Sequence, residues 1–107
     1  MELSIERDPQ DPRRFRVAGE VDISNHERLV EALAGPVEEG GDLVLDLSGL
    51  EFMDSQGIRA LLILSQRLEG RGRLKLVSPG SVVSRLLEVV RADAFPNVEV
   101  VRDGDEA

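Results

Sequence analysis

The sequence predicts one α/β domain: a mostly parallel mixed sheet with an N-terminal antiparallel hairpin, in the order β-β-α-β-α-β-α-β, with helices packed on the sheet. Three observations predict it. Short apolar runs near residues 43–47, 74–77 and 98–101 alternate with stretches of helical periodicity, the pattern of parallel strands joined by right-handed crossovers. Two alternating stretches at the N-terminus are separated only by turn residues, which makes them a hairpin. A chain of 107 residues, 41% of them apolar, buries one modest core and has no room for a second.

Taken in order, Leu3 and Ile5 alternate with Ser4 and Glu6, a first strand. Asp8-Pro9-Gln10-Asp11-Pro12 is turn chemistry. Phe15 and Val17 alternate with Arg14, Arg16 and Ala18, a second strand over residues 13–19. Ser24 followed by Glu27 fits a capping box, in which each side chain satisfies a backbone N–H at the helix start. The helix that follows, over residues 25–39, carries Leu29, Val30, Leu33 and Val37 on one face. Pro36 lacks an N–H and crowds the preceding turn, so a kink or an early stop at Gly35 is expected.

Residues 42–47 are short and nearly all apolar, which suits a strand buried on both faces. Ser48-Gly49-Leu50 then turns the chain. A helix over residues 55–69 has Asp54 as its N-cap and Ile58, Leu61, Leu62, Ser65 and Leu68 on one face, with Leu64 at the edge of that stripe. Ala60 and Ile63 are expected on the opposite side. Gly70 and Gly72 end this helix. Leu74, Leu76 and Val77 form the next strand. Ser78-Pro79-Gly80 turns into a helix bearing Val82, Val83, Leu86, Leu87 and Val90, and Phe95-Pro96 closes that unit before a last strand with Val98, Val100 and Val101. The domain is expected over 1–102, with 103–107 an acidic tail.

Composition removes several classes of function. There is no cysteine, so disulfides and thiolate metal sites are excluded, and a single histidine makes a transition-metal centre a poor fit. A formal charge of −8 opposes nucleic acid and anionic membranes and suits a protein partner or simple solubility. With no Trp or Tyr and three Phe, base stacking has little to work with. No run of ~18 apolar residues suggests a membrane span, and no signal peptide is expected.

The chemistry concentrates at Asp54-Ser55-Gln56-Gly57, beyond the end of an inner strand, the edge where open α/β sheets place their sites. A hydroxyl in the first turn of a helix faces free N–H groups, and a phosphate there would gain from those donors and from the helix dipole. Gly57 permits close approach of another backbone or of a nucleotide. On spacing alone the plainer alternative, a helix start with Asp as cap and Ser as filler, is the better one. Ile63 beside Ser55 is either part of a partner surface or covered by a neighbouring helix. A hydrolase nucleophile is a poor reading of Ser55: Met53 stands where a nucleophile elbow has its first Gly, and only His26 is available as base. Gly40-Gly41 and Gly70-Arg71-Gly72 are helix ends, not phosphate loops. Asp22, Asp46 and Asp54 are a conceivable Mg²⁺ set, but strand-end and cap roles explain each of them, and no cofactor is expected.

Val44-Leu45-Asp46-Leu47-Ser48-Gly49-Leu50-Glu51-Phe52-Met53-Asp54-Ser55-Gln56-Gly57-Ile58, together with Gly19-Glu20-Val21-Asp22 ahead of a helix, strongly resembles the anti-sigma factor antagonists of the STAS family. The resemblance covers residues 2–102. It implies a cytoplasmic binding protein, not an enzyme, that works by bacterial partner switching. Ser55 would be phosphorylated by an anti-sigma factor that is itself a serine kinase, and a serine phosphatase would restore it. The unphosphorylated form would bind the kinase and free the sigma factor. Asp54 and Gly57 would shape the serine loop, and Asp22 with the start of the first helix would help form the docking surface, so Asp22, Ser24, Asp54, Gln56, Gly57, Arg59 and Ile63 are the candidate partner-binding residues. Gln56 departs from the second Ser or small residue that many members carry. A monomer or weak dimer is expected. The alternative within the family is an accessory subunit of a transporter or larger signalling complex, docking without phosphorylation.

Overall fold

The computed structural model describes residues 2–102; the acidic tail expected at 103–107 lies outside the described residues. β1 (Ser4–Asp8) and β2 (Asp11–Val21) form the antiparallel hairpin, with Ser4 opposite Ala18 and Arg7 opposite Phe15. Then come α1 (His26–Glu39), β3 (Leu43–Asp46), β4 (Leu50–Met53), α2 (Ser55–Leu68), β5 (Leu74–Val77), α3 (Ser81–Val89), a 3-10 turn (Ala92–Ala94) and β6 (Val98–Val101). The sheet order is β1-β2-β3-β5-β6, parallel from β2 onward, with β4 also pairing parallel to β2. This is the mixed α/β domain the patterning predicts, with one strand more.

The additional strand, β4, follows directly on the expected turn: Ser48 and Gly49 do turn the chain, and Leu50, expected in the turn, opens the strand. Arg16 of β2 pairs with Asp46 and Gly19 with Leu50, so the chain advances four residues while β2 advances three. β3 and β4 therefore follow one another along a long β2, separated by a turn closed by the Leu50 N–H to the Leu47 carbonyl (3.0 Å), with a further register shift between Gly19 and Glu20. At the interruption Asp46 accepts from the Ser48 N–H (2.9 Å), and the Gly19 N–H bridges to the Gly49 carbonyl (2.9 Å). Gly19 has φ +92°, and a Cβ there would run into the Glu2 carbonyl, so this crossing point admits only glycine.

The sheet buries one face. Leu43, Leu74 and Val98 occupy one register row and Phe15, Leu45 and Leu76 another, all buried. The row between them, Arg14, Val44, Lys75 and Glu99, is only half-buried. β3 is thus not buried on both faces as its apolar composition suggests: its outer face is a charged ladder, with Asp46 to Arg14 at 3.8 Å and Lys75 to Asp42 at 3.4 Å. Leu29, Leu33 and Val37 of α1 and Leu61, Leu64 and Leu68 of α2 join the inner face in one core. α3 contributes Val83 and Leu87 and packs on β4.

Pro36 does not stop α1, which continues to Glu39. Ala32, whose carbonyl loses its usual donor, is exposed to solvent. Arg13 secures the end of the helix. Its guanidinium donates to the carbonyls of Pro36 (2.7 Å), Gly41 (3.0 Å) and Asp42 (3.1 Å), which places a cation at the negative end of the α1 dipole. The capping box is not formed. Asn25 is the N-cap, and the Ser24 hydroxyl donates to Asp22 instead (2.6 Å), the nearer and charged acceptor.

Candidate functional site

Asp54 is the structural centre of the site. Its backbone is extended, and its Oδ1 accepts from the N–H groups of Gln56 (2.9 Å) and Gly57 (3.2 Å). This is the N-cap the sequence predicts. The other carboxylate oxygen, Oδ2, accepts from the Ile23 N–H (3.2 Å), and the Asp54 N–H donates to the Val21 carbonyl (3.1 Å). One side chain therefore joins the start of α2 to the β2–α1 loop.

That loop has its own internal scaffold. Asn25 Oδ1 accepts from the Asp22 N–H (2.9 Å), and its Nδ2 donates to the Glu20 carbonyl (2.9 Å). Asp22 Oδ1 takes both the hydroxyl and the N–H of Ser24 (2.6 and 2.9 Å). The Ser24 hydroxyl, then the Ser24 amide, and more weakly the Asn25 amide and His26, hold the Asp22 carboxyl below its ordinary value against the opposing effect of desolvation. His26 Nδ1 lies 3.2 Å from the carbonyls of Asp22 and Ile23, where it acts as a donor within its own turn.

Ser55, the first residue of α2, is exposed, and its hydroxyl makes no hydrogen bond among the described residues. Most of the first-turn amides expected to face it are not free: those of Gln56 and Gly57 go to the Asp54 side chain and that of Ile58 to the Asp54 carbonyl (3.2 Å), which leaves the Ser55 N–H as the one without a partner among the described residues. Gly57 faces inward. A Cβ there would overlap the side chain of Met53 and press on Val21 (3.1 Å), so the close approach it permits is that of β4 and β2. Gln56 is half-buried beside it.

The phase of α2 differs from the expected one. Gly57, Ile58, Ala60, Leu61, Leu64, Ser65 and Leu68 are buried, while Leu62 is only partly so. Ala60, expected outside, is inside. Ser65 remains satisfied in the core by donating to the Leu62 carbonyl (2.8 Å). Ser55, Arg59, Ile63 and Arg67 then form one stripe at four-residue spacing. Ile63 is half-buried because α1 lies beside it. Val30 and Ala34 of α1 and Ile63 of α2 line a groove of about 440 Å³. Its charges are carboxylates on the α1 side, Glu27 and Glu31, and guanidiniums on the α2 side, Arg59 and Arg67. Arg59 and Arg67 have no ion-pair partner among the described residues, in a chain with 21 carboxylates.

The sequence reading missed two neighbours of the serine. Ile23 is 73% exposed although its N–H is held by Asp54, and Phe52, two residues before Asp54, is 44% exposed. The alternation Leu50, Glu51, Phe52 would place Phe52 on the buried side with Leu50, so no local signal announces its exposure. Asp22, Asp46 and Asp54 each serve a separate hydrogen-bonded turn, and among the described residues no group of three or more His, Cys, Asp or Glu is placed to hold a metal.

Residues 4–106 match the family model of the STAS domain. The chain belongs to that family. This STAS domain is similar to the anti-sigma-F factor antagonist RsfB of Mycobacterium tuberculosis, with 31% identity over 78 residues, 72% of this chain and 64% of that protein. The aligned stretch thus spans less than two thirds of the relative. In structure the STAS domain is similar to an anti-sigma factor antagonist from Mycobacterium paratuberculosis, with TM-score 0.72 at 23% identity over 92% of this chain and 84% of that one. It is also similar to the anti-sigma factor antagonist SpoIIAA in its unphosphorylated form, with TM-score 0.70 at 21% identity over 98% and 92% of the two chains. At these identities the structural likeness concerns the fold. No described helix is long and apolar enough to cross a membrane.

Proposed function

We propose that this STAS domain is an anti-sigma factor antagonist whose binding is switched at Ser55. The observation that carries the reading is an exposed hydroxyl without an internal hydrogen bond, on a rim made rigid by Asp54. Such a hydroxyl is available to another protein's active site, and the carboxylate beside it, Asp54, is already occupied by the N–H groups of Ile23, Gln56 and Gly57. The unphosphorylated rim, with Ile23, Asp22 and Ser24 on one side and the Arg59–Ile63 stripe on the other, binds an anti-sigma factor that is a serine kinase, and the sigma factor is released. The kinase moves the γ-phosphoryl group of ATP to Ser55 Oγ; the hydroxyl proton leaves and ADP is the other product. A serine phosphatase reverses the modification by hydrolysis.

The phosphate adds about 1.5–2 negative charges at neutral pH. In a complex these would be buried against partner atoms and beside Asp54. Losing only about 3 kcal/mol of binding weakens the complex more than a hundredfold, so exclusion at the interface suffices and the domain need not refold. The net charge of −8 supports a protein partner over nucleic acid.

Two measurements test this. After incubation with a serine-kinase anti-sigma factor from the same genome and ATP, peptide mapping by mass spectrometry places the phosphate on Ser55; a phosphate elsewhere, or none, overturns the assignment. In a pull-down with that kinase, wild type and Ser55→Ala are retained and Ser55→Glu is lost. Equal retention of all three would favour a docking subunit that is never modified.

A further inference from the structure

We infer that Arg59 is the counter-charge of phosphorylated Ser55, and that modification thereby takes this guanidinium away from the α1–α2 groove. The inference rests on the proposed switch at Ser55 and identifies the residue that would receive its charge.

A helix start ordinarily offers several N–H groups to an anion. Here it offers little, because Asp54 has already taken the amides of Gln56, Gly57 and Ile58 through its side chain and its carbonyl, and only the N–H of Ser55 itself is without a partner among the described residues. A phosphate on Ser55 also sits next to the Asp54 carboxylate, which repels it. One remaining amide does not balance a charge of about 1.5–2, so a cationic side chain is needed, and Arg59 has the required position. Ser55 and Arg59 are four apart on one stripe, where Cβ atoms lie about 5–6 Å from each other. Side chains on a helix lean toward its N-terminus, so an arginine at this position sweeps back over the preceding turn, toward residue 55. An anion one turn N-terminal to a cation is the favoured order. Guanidinium and phosphate match in a two-pronged hydrogen-bonded pair.

Arg59 is also free to move. It is exposed and has no hydrogen bond or ion pair among the described residues. The carboxylates across the groove, Glu27 and Glu31, make no ion pair with it: Glu27 lies 4.0 Å from His26 Nε2, and no ion pair joins Glu31 to Arg59 among the described residues; Arg67 is two turns further along α2. In the unmodified domain Arg59 and Arg67 together make one side of the groove cationic. Once Arg59 turns to the phosphate, half of that cationic side is withdrawn, so a partner segment seated in the groove loses a contact besides meeting the phosphate itself.

The test uses the full chain with phosphoserine inserted at position 55 during translation, so no kinase is needed. The probe is the ³¹P shift of that phosphate, titrated through its second ionisation, which is ordinarily about 6. Because Asp54 and His26 affect every variant alike, the comparison is between variants. Arg59→Gln is expected to raise the apparent pKa by about 0.4 unit, Arg59→Lys by less, and Arg67→Gln not at all. No change in Arg59→Gln, or an equal change in Arg67→Gln, overturns the pairing. A pairing that is present while no kinase ever modifies Ser55 would sink the proposed switch, and with it any use of the pairing, though the Arg59–phosphate geometry would stand; the reverse pattern would sink Arg59 alone.

Discussion

Asp54 and Ile23 are joined across 31 residues of sequence by a 3.2 Å hydrogen bond from the Ile23 N–H to the carboxylate that caps α2. The bond fixes an exposed apolar side chain beside the helix start that carries Ser55. It also explains why the site is a rim with defined geometry, since each half is anchored to the other and to the end of β2 through the Val21 carbonyl.

Removing that anchor has a graded cost. Asp54→Ala deletes the cap and the tether, and a loss of about 1–2 kcal/mol is expected in urea unfolding. Asp54→Asn keeps one oxygen acceptor and loses the charge, so its loss should be smaller. Amide exchange at Ile23 should accelerate in both variants. Unchanged exchange at Ile23 would show that the loop is held by Asn25 and not by Asp54.

Ser55 itself bears no structural burden. Ser55→Ala and Ser55→Glu are expected within about 0.5 kcal/mol of wild type in thermal or urea unfolding. A loss above about 2 kcal/mol for Ser55→Ala would mean that the hydroxyl serves the helix start, and the switch reading would lose its basis.

Gly57 is required by its own sheet. Gly57→Ala would push a methyl group into Met53 and against Val21, at about 1–2 kcal/mol after allowing for the better helix propensity of Ala. In a Met53→Ala background the same change should cost markedly less, because the blocking side chain is gone; a double-mutant cycle measures the difference. Additive costs would place the constraint elsewhere.

Arg13 is expected to matter more than its surface position suggests. Arg13→Ala leaves three carbonyls at the end of α1 and in the following loop without their donor, and about 2 kcal/mol of stability should go with it. Arg13→Lys should recover less than half, because an ammonium on a flexible stem cannot reproduce the planar fork.

Acid stability follows from Asp22 and Asp42. Asp22 is held below 3.8 chiefly by the Ser24 hydroxyl, and Asp42 chiefly by the Arg73 N–H (2.9 Å) with Lys75 behind it. A folded-state pKa below the unfolded one stabilises the fold above the unfolded value and loses that contribution as pH falls through the folded value. Unfolding midpoints should therefore be insensitive to these groups above about pH 5 and fall below about pH 4. Asp42→Asn should flatten that acid limb, which a series of urea titrations would read.

The hairpin, the parallel strands β3, β5 and β6, and all three helices were legible in the sequence because each has a strong local pattern bounded by Gly, Pro or Asp. The Asp54 cap was legible for the same reason: an N-cap acts within three residues of itself. β4 was not. Ser48-Gly49 reads as a turn, and only its pairing with β2, some 30 residues away, makes residues 50–53 a strand. The competition between Ser24 and Asn25 for the start of α1 was equally hidden, since it is settled by the Asp22 carboxylate accepting the Ser24 hydroxyl.

The sequence by itself determined the α/β class, the order of most elements and the position of Ser55 at the head of α2, all properties of short-range spacing. Only the tertiary structure decided which way α2 faces, and with it the meaning of its residues. Apolar residues surround much of that helix, so its 3.6-residue period is compatible with more than one rotation. Packing of Ala60 and Leu64 into the core selected one. That choice put Ser55, Arg59 and Ile63 on a single stripe beside α1, and the cap at Asp54 used the amides that a phosphate would otherwise meet.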